Sequence, residues 1–388
     1  MAADLMTSAG RVIPSYPYRS WVEVSLRRIA ENFQSIRALV GDQVEVMPVV
    51  KADAYRHGAV EVSNTLQAEG ARWLAVSNTD EGIALRDSGI RTRILVMADF
   101  LPFSREALLA YQLTPVIHSL DDLKALNQLA ARREQRIAYH LKVDSGMGRL
   151  GVRPDQKIAE AILAAKYVTL EGLMTHFASS GNYQSPQTEE QLATFEQVLS
   201  LCEKAALHPA FVHLSSTIPI AYSRRNAWRG MVRPGHAIYG YVSPARGHAP
   251  ARKLDVRPAL AWRATVLSVK DVPAGTQVGY GGMFKTQAPT RLAILAAGYA
   301  DGIPHRLSNK GQVIVAGKLA PMVGAVSMDL STIDVTDCSP VKPGDAVTLL
   351  GTEGNVSIDA QEMARLAGTI SYSVLCGIHA RVKRIYVK

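Results

Sequence analysis

Glu45-Val46-Met47-Pro48-Val49-Val50-Lys51-Ala52-Asp53-Ala54-Tyr55-Arg56-His57-Gly58 passes from an apolar run into a polar turn, with Lys51 at the junction. A run of that length closed by a turn reads as a buried strand whose C-terminal end opens on a loop. A lysine there loses hydration around its stem, which lowers its pKa and frees its amine to attack a carbonyl. Taken alone, Lys51 is more often a solvated loop residue, so the rest of the chain decides.

Outward from this stretch, short apolar runs alternate with helical patterns between about residues 26 and 250. The runs are Val44–Val50, Trp73–Val76, Ile94–Met97, Thr114–Ile117, Ile137–Val143, Thr169–Met174, Phe211–Leu214 and a last one near Met231–Val232 or Ala237–Tyr239. Between them lie segments such as Ser25–Val40, Asp121–Arg133 and Thr188–Ala206, apolar at three- and four-residue spacing. Eight strand-helix units without a hairpin signal point to a closed (β/α)₈ barrel of the TIM type more than to an open sheet. From about Arg257 short β-rich runs take over: Ala261–Val269, Arg291–Ala297, Gln312–Val315 and Ala346–Leu350. The expected organisation is a barrel over 26–250 and a mainly β domain over 251–388. An N-terminal strand at about 15–25, centred on Ser20–Val24, is expected to join the second domain.

Bulk properties narrow the function classes. The 388 residues are 47% hydrophobic and 20% charged, ordinary for a globular enzyme of two domains. The formal charge is +9, but the basic residues are dispersed, with no run longer than pairs such as Arg132-Arg133 and Arg224-Arg225. That argues against nucleic acid and for a solvated basic surface that also gathers anionic small molecules. Cys202, Cys338 and Cys376 are far apart and odd in number, so they read as free thiols rather than metal ligands or disulfides. No signal peptide and no membrane span is read, and a cytoplasmic location is expected.

Polar groups recur where barrel strands should end. Lys142-Val143-Asp144-Ser145-Gly146-Met147-Gly148-Arg149 follows the fifth strand, Met174-Thr175-His176-Phe177 the sixth, and His213-Leu214-Ser215-Ser216 the seventh. Arg233-Pro234-Gly235 adjoins the eighth. Side chains at that end of a barrel face the active site. Each has a plain alternative: turn glycines at 146 and 148, a surface Arg149, a hydrogen-bonded core His176, a helix cap at Ser215-Ser216. A hydroxyl and free amides at a helix start are also what a phosphate needs, and Gly235 lets backbone approach an anion.

The octet from Lys51 resembles K-A-N-A-Y-G-H-G, the pyridoxal-phosphate lysine motif of the alanine racemase family, a fold-type III group. K-V-D-S-G-M-G-R-L-G at 142–151, V-R-P-G at 232–235 followed by Tyr239-Gly240, V-G-Y-G at 278–281, A-G-Y-A-D-G at 297–302 and S-M-D at 327–329 match further family segments. The resemblance runs from about residue 20 to the end. It implies pyridoxal 5'-phosphate as cofactor and interconversion of L- and D-alanine. Lys51 would bind the cofactor through its amine and, once released by substrate, act as base on one face of the α-carbon. Tyr280 of the partner subunit would serve the other face, which requires a homodimer with shared active sites.

Unperturbed tyrosine and lysine titrate near 10 and above, too high for efficient bases at neutral pH. The resemblance places His176 between the phenol and Arg233, and Arg233 against the cofactor's pyridine nitrogen. A cation there weakens the electron sink and suppresses side reactions such as transamination. Tyr55, Ser216 and the Gly235 backbone would hold the phosphate, with Tyr239 also on the cofactor side. Arg149, Met328 and Tyr299 would bind substrate, Arg149 also reaching the cofactor's phenolic oxygen. Lys142 would be open to carbamylation, bridging to Arg149.

The chain departs from the family at Asp53 and Arg56 (usually Asn and Gly), at His236, at His305 and Ala325, and at Ala380. These positions are expected near the mouth or the back of the pocket, where loss of bulk and fixed cations should widen the entrance and admit larger amino acids such as serine or lysine. Rival readings are a decarboxylase of the same fold type, which uses a cysteine where V-G-Y-G has Tyr280, and a non-catalytic pyridoxal-phosphate-binding protein, which is a lone barrel. An inactive regulator that binds amino acids is a third.

Overall fold

The computed structural model describes residues 5–6, 12–13, 18–154 and 157–387. The expected strand near 15–25 lies partly outside these; the described part is β1, Ser20–Ser25. The chain divides into two compact units, one of Leu26–Arg257 and one of Pro258–Lys388 with the residues up to Ser25.

The first unit is a ring of eight parallel strands: β2 (Glu45–Val46), β3 (Trp73–Val76), β4 (Arg93–Val96), β5 (Thr114–Ile117), β6 (Ile137–Lys142), β7 (Val168–Met174), β8 (Phe211–His213) and β9 (Met231–Val232). Six neighbours from β3 to β8 pair in sequence order, and β9 pairs with β2. Two seams remain. Val49 bridges Ala75, with Val50 N donating to Ala75 O (2.8 Å), and Arg233 N donates to Ser215 O (2.9 Å), so the ring closes. The expected strand Val44–Val50 is regular only over Glu45–Val46, but its backbone bonding runs on: Met47 N donates to Val232 O and Val49 N to Pro234 O, both at 2.9 Å, while Pro48, which has no N–H, accepts from Ala75 N at 2.9 Å.

The apolar spacing of the helices becomes burial. In Leu26–Val40 the buried residues include Ile29, Phe33, Ile36 and Val40, one face at helical period. Burying each such side chain contributes about 1.5–3 kcal/mol. Asn78 and Ser119 cap the helices Thr79–Asp87 and Leu120–Arg132 by accepting from Glu81 N and Asp122 N. All four residues of β3 and of β5 are buried, as befits strands covered on both faces.

The second unit is a nine-stranded sheet built on the long strand β10, Leu260–Val272. Its first part pairs with β1 and with Ala346–Glu353; past an irregularity at Val266/Ser268 it pairs with Thr290–Leu295. Lys383–Val387 lies parallel to β1. No helix among the described residues is long and apolar enough to cross a membrane.

Candidate active site

Lys51 opens a helical turn, Lys51–Arg56, that is left-handed: Ala52, Asp53, Ala54, Tyr55 and Arg56 have φ of 54°, 54°, 52°, 52° and 66°. Left-handed conformation costs about 1–2 kcal/mol for each residue that carries a Cβ. Named contacts hold it. Glu81 accepts from Ala52 N and Ser77 N, both at 2.7 Å, and Asp53 Oδ1 accepts from Ala59 N at 2.8 Å. The turn half-buries Lys51 and packs the Tyr55 ring, 7% exposed, against Tyr239 at 4.7 Å between centroids. Tyr239 is fully buried and donates its hydroxyl to Val49 O at 2.9 Å, so it backs Tyr55.

Gly235 fits this arrangement because a Cβ there would stand 2.5 Å from the Tyr55 hydroxyl. Its N–H faces Thr217 Oγ1 at 3.3 Å. Ser216 precedes the short helix Thr217–Ala221 without using its side chain to cap it, while Ser215 donates to Ala227 O. Tyr55 and the backbone at Gly235 meet at these strand ends, and the nearby Ser216 hydroxyl makes no hydrogen bond among the described residues, so hydroxyl donors of the kind a phosphate requires are present.

Arg233, 3% exposed, is the most heavily bonded group here. Its Nη1 donates to His213 O (2.7 Å) and His213 Nδ1 (2.8 Å), and its Nη2 to Thr175 O (2.7 Å) and Leu214 O (3.2 Å), with His176 Nδ1 at 3.4 Å. None of these uses Nε. Burial lowers the guanidinium to about 9. His176 is pushed down to about 3 by loss of water and then by Arg233, Lys142 and Arg149. A neutral His176 that accepts at Nδ1 carries its proton on Nε2.

Lys142 is 6% exposed, and burial, then Arg149 and Arg233, lower its amine to about 8. Arg149 lies exposed on the loop after β6. Asp144 Oδ1 shapes that loop by accepting from the amides of Gly146, Met147 and Gly148. Gly146 and Gly148 have φ of 134° and 69°, so they are turn glycines as well as motif residues.

The remaining predicted residues lie in the β unit. Tyr280, 78% exposed, begins the 3-10 turn Tyr280–Gly282 behind Gly279 at φ 73°. Asn309 ties this region to the next loop, donating to Met283 O and accepting from Gly324 N. Tyr299 N donates to Ser327 O (3.0 Å) and Ala300 N to Met328 O (2.9 Å), which sets Tyr299 beside Met328, both exposed.

The family model described as alanine racemase, N-terminal domain, matches residues 24–244, and that described as alanine racemase, C-terminal domain, matches 259–386. The chain belongs to the alanine racemase family. These are pyridoxal-phosphate-dependent isomerases that interconvert L- and D-alanine. A relative from Halothermothrix orenii named alanine racemase is 39% identical over 369 residues, covering 95% of this chain and 96% of its own. The alanine racemase structure from Bacillus anthracis with bound L-Ala-P is 32% identical at a TM-score of 0.87, covering 97% of this chain and 96% of that one. The Bartonella henselae alanine racemase with covalently bound pyridoxal phosphate is 27% identical at 0.86, covering 96% and 100%.

Within this chain the departures from the family pattern sort by environment. Asp53 is a structural acceptor, a role asparagine fills equally. His236 does not border an open entrance: it is 1% exposed, stacked between Tyr55 (6.4 Å) and Tyr241 (5.0 Å), and burial, then His57, lowers it to about 3. Ala325 is half-buried, with its N 3.1 Å from where a Gly279 Cβ would stand, while His305 and Ala380 are exposed. Sequence reasoning missed His140, Glu171 and the His213 side chain, which stand behind Arg233. A histidine inside an otherwise apolar strand, as in Ile137–Lys142 and Phe211–His213, was the available signal.

Proposed function

We propose that the chain racemises alanine as a two-fold homodimer holding pyridoxal 5'-phosphate at the C-terminal ends of the barrel strands. The carrying observation is the buried Arg233 with its Nε–H uncommitted in the contacts above, at the same strand ends as Lys51, His176, Tyr55, Ser216 and Gly235. Tyr55, Ser216 and the backbone at Gly235 would hold the phosphate, Arg233 would lie toward the pyridine nitrogen, and the Lys51 amine would hold the aldehyde end. Bound there, pyridoxal phosphate supplies the conjugated ring that disperses the charge left when the α-proton departs.

Lys51 moves a proton at one face of the α-carbon, and Tyr280 of the partner subunit moves one at the other. Two bases on opposite faces explain inversion. His176, neutral and protonated on Nε2, is a fixed donor toward the tyrosine oxygen, and Arg233 behind it adds positive charge; both favour the phenolate. Arg149 binds the substrate carboxylate with the Met328 amide of the partner subunit, beside Tyr299. The exposure of Tyr280 and Met328 in the single chain supports the dimer, since groups that meet substrate in a neighbour must project from their own unit.

The test is a chiral chromatography panel: protein with pyridoxal phosphate is incubated separately with L-alanine, L-serine, L-lysine and further L-amino acids, and scored for D-enantiomer and for amine. D-alanine should dominate, with slower formation of D-serine. Lys51→Ala and Tyr280→Phe should each lose about 100-fold or more, the usual scale of acid-base catalysis. Alanine as sole substrate would sink the widened-entrance reading. Amine without D-product, no product at all, or full activity in Tyr280→Phe would sink the two-base reading.

A further inference from the structure

Behind Arg233 a column of polar side chains runs lengthways through the barrel. His213 Nδ1 faces Arg233 Nη1 at 2.8 Å, and His213 Nε2 faces His140 Nδ1 at 2.8 Å. His140 Nε2 lies 3.6 Å from Glu171 Oε2, and has no hydrogen-bond partner among the described residues. Glu171 in turn takes a two-pronged bond from Arg93, 2.8 and 2.7 Å, at the opposite, N-terminal end of the strands. His140 and His213 are fully buried. The site is built for the ring: a Cβ on Gly172 would overlap the His140 imidazole, and Trp73 (5.3 Å) and Phe211 (6.2 Å) flank it. Arg93 also caps the Trp73 face at 3.9 Å.

Donor rules fix every proton in this column. A guanidinium only donates, so His213 Nδ1 must accept. Full burial and the adjacent Arg233 disfavour an imidazolium, which leaves the His213 proton on Nε2, donated to His140 Nδ1. His140 then accepts at Nδ1 and carries its own proton on Nε2, facing the Glu171 carboxylate. The reverse order would set an N–H of His213 against an N–H of Arg233. It would also set a lone pair of His140 against an anion.

We propose that His140 and Glu171 are positioning residues that lock His213 in its Nε2–H form and thereby keep an acceptor on Arg233, holding the guanidinium charged and in one orientation. Burial opposes the charge on Glu171, but the contacts with His140 and Arg93 hold its carboxyl at about 2, so the anion persists throughout the working range. The role of Arg93 is that of counter-ion, which lets a carboxylate sit inside the barrel wall. The consequence for catalysis rests on the reading that Arg233 faces the cofactor ring; the proton order does not.

The test is a two-bond ¹H–¹⁵N correlation spectrum of histidine-labelled holoenzyme, which separates Nδ1–H, Nε2–H and doubly protonated rings. Wild type should show His140 and His213 as single Nε2–H tautomers from pH 6 to 9. Glu171→Gln, whose amide can both donate and accept, should give mixed tautomers at His140 and His213 and about a tenfold lower kcat with little change in KM. His140→Gln keeps an acceptor for His213 and should keep His213 as Nε2–H. An Nδ1–H or cationic His213 in wild type would overturn the proposal without any variant, and so would unchanged tautomers in a folded Glu171→Gln. An enzyme that racemises with the wrong proton order refutes only this column, whereas the predicted order in a protein that racemises nothing refutes only the functional reading.

Discussion

Replacing Arg56 tests the left-handed turn that carries Lys51 and Tyr55. Its φ of 66° is one that glycine adopts freely and that costs a residue with a Cβ about 1–2 kcal/mol. Because the arginine side chain has interactions of its own, the informative comparison is Arg56→Ala with Arg56→Gly, which differ only in the Cβ. Glycine relieves that cost and gives back about 0.4–1 kcal/mol through the greater freedom of the unfolded chain. The net expectation is a glycine variant about 0.5–1 kcal/mol more stable than the alanine one. In a right-handed helix the same pair would differ by about 1 kcal/mol in the other direction. The sign therefore decides the handedness. Urea unfolding of both variants, at one protein concentration and with saturating pyridoxal phosphate, supplies the measurement, since oligomer and ligand both shift apparent stability. An alanine variant as stable as or more stable than the glycine variant would refute the left-handed reading.

Two further outcomes follow from buried bases. Lys142, with its amine lowered to about 8, is substantially neutral in mildly alkaline solution, and a neutral amine is the form that adds carbon dioxide. Crystals grown at about pH 8 with bicarbonate should show density beyond Nζ directed at Arg149, and a bare amine would refute carbamylation. His140, His176, His213 and His236 are all held neutral by burial. Their folded values lie below the unfolded value of about 6.5, so unfolding takes up protons and stability is lost as pH falls below about 6.5. The urea midpoint should drop between pH 6.5 and 5, where ordinary carboxylates are still mostly ionised, and a flat midpoint there would show that these rings are not buried neutral.

Much of the fold was legible because periodicity and burial coincide. Thr114–Ile117 and Trp73–Val76 read as buried strands and fold as such, since an apolar run covered on both faces has no other stable placement. The closure of the ring was harder to read. It depends on Pro48 and Val49 meeting Ala75, and on Arg233 meeting Ser215, backbone bonds that carry no side-chain signature. The same reason hides the partner change along Leu260–Val272. There irregularities at Trp262/Arg263 and Val266/Ser268 accompany the change of partner that makes an expected short strand the shared strand of the β unit.

For the site, the motifs gave positions and the structure gave constraints. Lys51, His176, Arg233 and Gly235 stood out because strand ends of a barrel face one opening, so their convergence could be read from spacing. The left-handed turn could not, because of Lys51-Ala52-Asp53-Ala54-Tyr55-Arg56 only Asp53 is a residue type that visits positive φ readily; Glu81, Asp53 and the packing of Tyr55 on Tyr239 hold it. For His236 the sequence left mouth and back of the pocket open, and the stacking on Tyr55 and Tyr241 puts it among buried rings as a neutral aromatic filler. His140 and His213 extend the point. Each ring is fully buried, and neither alone shows a direction. Only when Arg233 is known to donate to one, and Glu171 to face the other, does the pair acquire a direction, because donor and acceptor roles in a chain are set by its ends.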